Sequence, residues 1–441
     1  MKIGFYTLGC KLNQTETEAI VESFSSEGYE TVSVHEEADL YIINTCTVTS
    51  KSEQKARRII RYLLNHYPQA RVWVTGCYAQ LDPDLLMGVD KRVEVIPGSL
   101  KSNLIALFES LPNKKLLNKE DLPSPREFLT DTCNNPFRLQ PVRFRLHSRA
   151  FLKIQDGCNY HCAYCRVRLA RGPSVSLPFP QLIERFQGIL EQGYEEIVLT
   201  GVNISLYHWE GKNFGDVLLS LLKLPGRFRI RLSSLEPEAF TPSLLEALSL
   251  PQICPHIHLS LQSASDAVLR RMRRPYTQKQ VQHLLDSLCK VHTNLYLAAD
   301  IITGFPSETD ADHQITREFL STNPFLDVHV FPFSPRPGTE GYKMKPRIPE
   351  RIARQRAKEI TSVVLPKYRN YLQCQVGRTL TVLVEEVTKE GEWAGTAENY
   401  VTVRGSRLSE EANSYLRLKK GKLYPCVIVN NKDNYLIGNI I

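Results

Sequence analysis

Cys158, Cys162 and Cys165 stand in the run Gly157-Cys158-Asn159-Tyr160-His161-Cys162-Ala163-Tyr164-Cys165. Three thiolates this close constrain the loop strongly, because together they can ligate three irons of a cubic iron–sulfur cluster. Such clusters normally take four cysteines, yet no cysteine follows Cys165 until Cys254, which leaves the fourth iron open for chemistry. The alternative is a zinc knuckle with His161 as fourth ligand. His161 directly precedes Cys162, so its ring is expected to point away from the thiolates, and the second knuckle of a paired zinc motif is missing.

A chain of 441 residues exceeds what one hydrophobic core usually supports, so two or three domains are expected. No apolar run reaches the roughly 18 residues of a membrane span, and Met1-Lys2-Ile3-Gly4-Phe5 reads as a strand rather than a signal peptide or anchor. Eleven scattered cysteines, an odd number, argue against a secreted disulfide framework and for reduced, cluster-bound thiols in the cytoplasm. The net charge of +8 is compatible with a polyphosphate partner without identifying one.

Three more cysteines occupy equivalent positions near the N-terminus. The strand patterns Lys2 to Leu8, Ala38 to Asn44 and Arg71 to Thr75 lead into Gly9-Cys10, Thr45-Cys46 and Gly76-Cys77. Helical patterns over Thr15 to Ser26 and Lys51 to His66 separate them, so a doubly wound parallel sheet is expected. The carboxyl ends of such strands share one edge, where ligands bind, so Cys10, Cys46 and Cys77 are expected to converge and could hold a second cluster with its own open iron. Taken singly, each would read as a small buried thiol at a strand end.

The C-x3-C-x2-C run with an aromatic before its last cysteine resembles the radical S-adenosylmethionine signature. Together with Thr7-Leu8-Gly9-Cys10-Lys11-Leu12-Asn13-Gln14, Ile43-Asn44-Thr45-Cys46-Thr47-Val48-Thr49 and Val74-Thr75-Gly76-Cys77-Tyr78-Ala79-Gln80, it resembles the methylthiotransferase branch of that family. These variants, with His329-Val330-Phe331-Pro332-Phe333-Ser334, look most like the bacterial group acting on N6-threonylcarbamoyladenosine in tRNA. The resemblance implies two 4Fe–4S clusters, one held by Cys10, Cys46 and Cys77 and the other by Cys158, Cys162 and Cys165. It also implies S-adenosylmethionine as cofactor, the tRNA anticodon loop as partner, an electron donor and a sulfur donor, and no membrane. The C2 hydrogen of adenine is neither acidic nor next to a leaving group, so cofactor radical chemistry is required, and the product implied is 2-methylthio-N6-threonylcarbamoyladenosine at position 37.

From Ala150 to Pro332 strands alternate with helices, at Ala150 to Gln155, Glu196 to Thr200, Arg229 to Leu232, Ile257 to Gln262, Leu295 to Ile301 and Asp327 to Phe331. Six units suggest an open (β/α) barrel with its site at the carboxyl ends of the strands. The resemblance places Gly201, Asn203, Ser234, Glu236 and Gly304 of those ends against S-adenosylmethionine. Residues 112–148, rich in proline (Pro123, Pro125, Pro136, Pro141), read as a linker, with Cys133 incidental. The expected α/β organisation is therefore an N-terminal doubly wound sheet at 1–111, this linker, a radical barrel at 149–372, and a small β-barrel at 373–441.

That last segment carries a basic set, Arg404, Arg407, Arg417, Lys419, Lys420 and Lys422, and resembles the RNA-binding TRAM module. A basic module of this kind suits a site that must take an unstacked loop base. His256 and His258 share one strand face and read as sheet residues, and Cys254, Cys289, Cys374 and Cys426 as ordinary thiols. Three departures from the family pattern stand out: Val167-Arg168 where a proline usually follows, Ser174-Val175-Ser176-Leu177 where an arginine pair is common, and Ser307 for a glycine. Sister enzymes acting on isopentenyladenosine in tRNA or on a ribosomal-protein aspartate share the six cysteines, so both remain alternative targets. A cluster protein without catalysis is the third reading.

Overall fold

The computed structural model describes residues 1–109, 122–129, 135–292, 294–406 and 418–441. Cys133, Arg407 and Arg417 lie outside the described residues.

Leu40–Thr45 is buried at all six positions, as a central parallel strand covered on both faces must be. Side chains alternate between faces. Leu40 and Ile42 therefore meet Ala19, Ile20 and Phe24 of the helix Lys11–Ser26, while Tyr41 and Ile43 meet Ala56, Ile60 and Leu63 of the helix Ser50–His66. The latter starts where the Thr49 side chain accepts from Ser52 N–H. Parallel neighbours complete a five-stranded sheet from Lys2–Thr7, Glu30–Ser33, Leu40–Thr45, Arg71–Gly76 and Val93–Val95, in the order second, first, third, fourth, fifth. This is the doubly wound arrangement expected from sequence. The first helix begins at Lys11, directly after Cys10, rather than at Thr15.

Six parallel strands follow, Ala150–Lys153, Glu196–Thr200, Arg229–Leu232, His256–Gln262, Tyr296–Thr303 and Phe325–Pro332. They form two three-stranded sheets linked by the parallel bridges Ile230–Ile253 and Leu235–Leu259. No pairing among the described residues joins the first strand to the sixth, so the barrel is open. Leu297, Ala299 and Ile301 pack outward with the helices in one continuous core, whereas Tyr296 and Ala298, on the opposite face, pack against the C-terminal segment.

The proline-rich segment is more than a tether. Glu22 of the first helix accepts from Val142 and Arg143 N–H, both at 2.8 Å, and Glu18 from Arg145 and Leu146 N–H at 3.0 and 2.9 Å. Leu122 and Leu139 join the N-terminal core, and Phe137 and Phe144 the barrel core. After the helix Glu350–Gln373 the chain closes a five-stranded barrel from Thr379–Val387, Trp393–Ala397, Thr402–Gly405, Tyr435–Ile440 and Leu423–Lys432. This module caps the amino-terminal end of the open barrel. Arg229 donates to the carbonyls of Thr381 and Thr396, and Arg231 to those of Ala397 and Glu398.

Candidate active site

Glycines at strand ends bring the first cysteine trio together. Gly9 adopts φ +104°, and a Cβ there would lie 2.8 Å from Cys46 Cβ; Gly76, at φ +96°, would meet the Thr45 carbonyl at 2.4 Å. Only glycine fits both the left-handed conformation and the close approach. Cys10 therefore caps the first helix, Cys46 closes the third strand and Cys77 opens the short helix Cys77–Leu81. The three thiols lie within electrostatic reach of one another. Burial pushes the Cys46 thiol up to about 12, and the Val48 N–H points at its sulfur from 3.4 Å.

The second trio occupies the loop after the Ala150–Lys153 strand. Gly157 turns the chain at φ +69°, where a Cβ would meet the Pro173 carbonyl at 1.9 Å. Tyr160 N–H and Val167 N–H each point at a cysteine sulfur, of Cys158 and Cys165, from 3.4 Å, and Arg274 donates to Cys162 Sγ at 3.2 Å. Burial raises the Cys158 thiol and pushes Cys165 up to about 12. Neutral thiols are poor acceptors for so many donors; coordinated thiolates are good ones, since a metal removes the proton outright. His161 is exposed and lies against Arg168, so it does not complete a zinc site with the trio.

Buried charge joins the two trios. Glu16, with no exposed surface, accepts from Lys153 at 2.9 Å, from Arg171 at 2.9 and 3.0 Å, and pairs with Lys101. Asp156 takes Lys153 at 2.6 Å and Arg171 at 3.1 Å. The cations hold the Glu16 carboxyl well below its usual range, while burial lowers Lys101, because one carboxylate shared three ways returns little to each cation. Three cations against two carboxylates leave one positive charge, and Arg171 carries it toward Cys10, Cys46 and Cys77. A surplus cation beside three sulfurs suits an anionic metal–thiolate group. A second bridge runs from Arg166, beside Cys165, to Asp82 at 2.9 Å and to Thr47, next to Cys46, at 3.2 Å.

The expected cofactor contacts cluster at the same strand ends, with different degrees of freedom. Asn203 Nδ2 is buried, and its amide bears on the Cys158 thiol. A Cβ on Gly201 would press on Gln155, whose Oε1 also accepts from Asn203 N–H at 2.8 Å. Ser234 is half-buried. Glu236 is not free, since its carboxylate pairs with Arg274. Gly304, at φ +72°, faces Ala353, so it can offer a ligand only its backbone. The departing loop is structural: Val175–Ser176 pairs with Gln155–Asp156, Ser174 accepts from Gln155 Nε2 at 2.9 Å, and Leu177 is fully buried.

Sequence reasoning gave no role to Arg274 or Glu16. It also left His258 a sheet residue, whereas its ring meets Asp300 at 3.1 Å and lies 4.8 Å, centroid to centroid, from His329. Hydrogen bonds to Asp300 and Asp327 push His329 up to about 10, and despite its burial Asp300 is held at about 2 by the two histidines.

Family models match residues 2–98, as the uncharacterized protein family UPF0004, and residues 152–320, as the radical SAM superfamily. A threonylcarbamoyladenosine tRNA methylthiotransferase MtaB of Treponema pallidum is 38% identical, covering 94% of this chain and 97% of its own. The chain belongs to the radical S-adenosylmethionine methylthiotransferases. Another MtaB, from Bacillus subtilis, is 34% identical over 91% of this methylthiotransferase, and a tRNA-2-methylthio-N(6)-dimethylallyladenosine synthase of Bartonella quintana is 30% identical over 89%. The fold is similar to that of the cobalamin-dependent radical enzyme OxsB (TM-score 0.52, 12% identity, 85% of this chain and 60% of that one). It is also similar to the methyltransferase TsrM of Kitasatospora setae (TM-score 0.51, 13% identity, 75% and 74%). Family membership brings S-adenosylmethionine and 4Fe–4S chemistry, and the six thiols, the N–H···S donors and the surplus cation of Arg171 fit such groups.

Proposed function

We propose that this methylthiotransferase converts N6-threonylcarbamoyladenosine at position 37 of tRNA to its 2-methylthio derivative. The observation that carries the reading is the two cysteine trios at neighbouring strand edges, in a chain 33–38% identical over most of its length to relatives named for that substrate. Cys158, Cys162 and Cys165 would hold one cluster, and Cys10, Cys46 and Cys77 the other. Bound there, the first group supplies reductive cleavage of S-adenosylmethionine and the second a site for sulfur.

The rest is the work of protein side chains. Arg274 fixes Cys162 and Glu236 together, and the buried Asn203 amide bears on Cys158. With Gly201, Ser234 and Gly304 these residues would cradle S-adenosylmethionine, Gly304 through its backbone. Arg166 and Arg171 set the spacing between the trios. The basic module beneath the barrel, with Arg404, Lys419 and Lys420, would grip the phosphates of the anticodon stem while the base is presented; Lys422 instead ties the module to the barrel, donating to the Gly193 carbonyl at 2.8 Å and pairing with Glu195 at 3.2 Å. A one-electron donor and a sulfur donor complete the set of partners. No described helix is long and apolar enough to cross a membrane, and a tRNA substrate supports a cytoplasmic reaction.

Mass spectrometry of tRNA nucleosides from cells with and without the gene tests the substrate. Loss of 2-methylthio-N6-threonylcarbamoyladenosine alone is expected; loss of the isopentenyl form instead would reassign the target, and no change in either would point to the ribosomal protein. Cys162→Ala should abolish 5′-deoxyadenosine formation. Cys46→Ala should spare that cleavage and lose sulfur insertion, and methylthiolated RNA from this variant would refute the second-cluster assignment.

A further inference from the structure

Lys11 follows Cys10 directly, yet its side chain turns away from the thiols. The charged groups that bear on its ammonium are Arg231, Arg149 and Glu196 of the barrel, and Nζ lies 5.5 Å from the centroid of the Tyr400 ring. Arg171, not Lys11, is the cation facing Cys10, Cys46 and Cys77. Lys11 is therefore not the counter-charge of whatever those thiols hold.

Within the barrel the lysine has no counter-charge of its own. Among the described residues no acceptor lies within hydrogen-bonding distance of Nζ, and no carboxylate pairs with it. Glu196, fully buried, is already divided among Arg149 at 3.0 Å, Arg229 at 2.5 Å and Arg231 at 2.9 Å. Glu385 takes Arg149 at 2.5 Å, and Glu398 lies 3.9 Å from Arg229. Four cations (Lys11, Arg149, Arg229, Arg231) thus meet three carboxylates (Glu196, Glu385, Glu398), and the surplus charge is the half-buried ammonium of Lys11.

Leaving a partly buried charge unpaired is costly, and such a cost is retained where an incoming ligand cancels it. The neighbouring Tyr400 carries a cost as well, with its backbone at φ +71°; Lys11 Nζ and the Arg231 guanidinium lie 5.5 and 4.9 Å from its ring centroid, and the His256 ring lies 4.3 Å away, tilted by 32°.

We propose that the Lys11 ammonium, over the Tyr400 ring, binds the carboxylate of the threonylcarbamoyl substituent and so selects the substrate. This rests on the substrate reading above. C2 of adenine must meet the sulfur site at Cys10, and the N6 substituent leaves the same six-membered ring two atoms away. A residue adjacent to Cys10 and turned into the barrel is therefore in range of that substituent's tail. An apolar isopentenyl group offers nothing to an ammonium and would bury it unpaired, so the same residue rejects that substrate.

The test is equilibrium binding of a fluorescent anticodon stem-loop RNA to cluster-loaded protein without reductant, so that no turnover occurs. The RNA carries N6-threonylcarbamoyladenosine as the free acid or as its methyl ester. Wild type should bind the acid about ten- to a hundredfold more tightly than the ester. Lys11→Met should bind both equally, at the wild-type affinity for the ester, with iron and sulfide content unchanged. A preference for the acid that survives Lys11→Met overturns the proposal. Equal affinity of wild type for acid and ester overturns it too, and that comparison stands even if the variant loses its clusters. Failure of wild type to methylthiolate the acid-bearing RNA would instead overturn the substrate reading.

Discussion

Glu16→Gln is the sharpest test of how the N-terminal sheet is held to the barrel. The carboxylate has no exposed surface and is the shared partner of Lys101 on the sheet side and of Lys153 and Arg171 on the barrel side. Removing its charge leaves three buried cations facing Asp156 alone, so the local surplus rises from one positive charge to two. Breaking a buried ion pair by deleting one partner typically costs about 3–5 kcal/mol. At about 2–4 °C per kcal/mol for a unit of this size, the melting temperature should fall by roughly 6–20 °C. The control is Glu350→Gln, which breaks the exposed Arg354 pair, with side chains 57% and 69% accessible; such pairs contribute about 0–1 kcal/mol.

Thermal unfolding of anaerobically purified, cluster-loaded protein, followed by circular dichroism, reads both variants. The Glu16 carboxyl is held below its ordinary range, so its contribution is complete above the unfolded carboxylate range and is lost as pH falls through its folded value. The difference between wild type and Glu16→Gln should therefore be full at neutral pH and shrink in acid. A drop no larger than that of Glu350→Gln, or one that does not shrink in acid, would refute the claim that this carboxylate ties the two parts together.

Other consequences are as direct. Gly157→Ala would force a Cβ to 1.9 Å from the Pro173 carbonyl at φ +69°, so purified protein should lose the iron held by the Cys158 loop and keep that of the Cys10 site, about half the total. Arg274→Met strands the buried Glu236 carboxylate and removes a donor from Cys162; iron loading should fall and 5′-deoxyadenosine formation with it, as measured by chromatography. His329 is raised to about 10 by Asp300 and Asp327, so its stabilising charge is complete below the ordinary histidine range and is lost as pH climbs toward about 10. Its side chain is half exposed, which weakens the effect, but wild type should lose more stability than His329→Gln between neutral pH and pH 10 in parallel melts.

The layout was legible wherever chemistry or period left a local trace. Cysteines at strand ends marked the carboxyl edge, because a parallel sheet presents all its carboxyl ends together, and alternating apolar runs located the barrel strands to within a few residues. Long-range pairing leaves no such trace. Arg274 lies 112 residues from Cys162, and nothing near the Met272-Arg273-Arg274-Pro275 run says which sulfur its guanidinium will reach. Glu16 and Glu18 sit in a helical pattern that carries no sign of their partners, and only the folded chain shows one inside a cation cluster and the other holding the linker's amides. The proline-rich segment read as a tether because its anchors, Phe137 and Phe144 among them, follow no period. The departures after Cys165 carry no sign of their role in the sequence, and the structure engages Ser174 and Leu177 in a strand pairing and a core, where their side chains serve the loop itself.

The closed barrel at the C-terminus receives four hydrogen bonds from Arg229 and Arg231, residues of a strand that also builds the reaction chamber. The hand that would hold the RNA and the floor on which the base would be worked are thus one solid piece. A gripping surface fixed in this way would act as a ruler: only a loop whose target base lies at the right reach from its stem phosphates could touch both ends. Choice of position along the RNA would then be a matter of length, settled before any chemical group on the base is read.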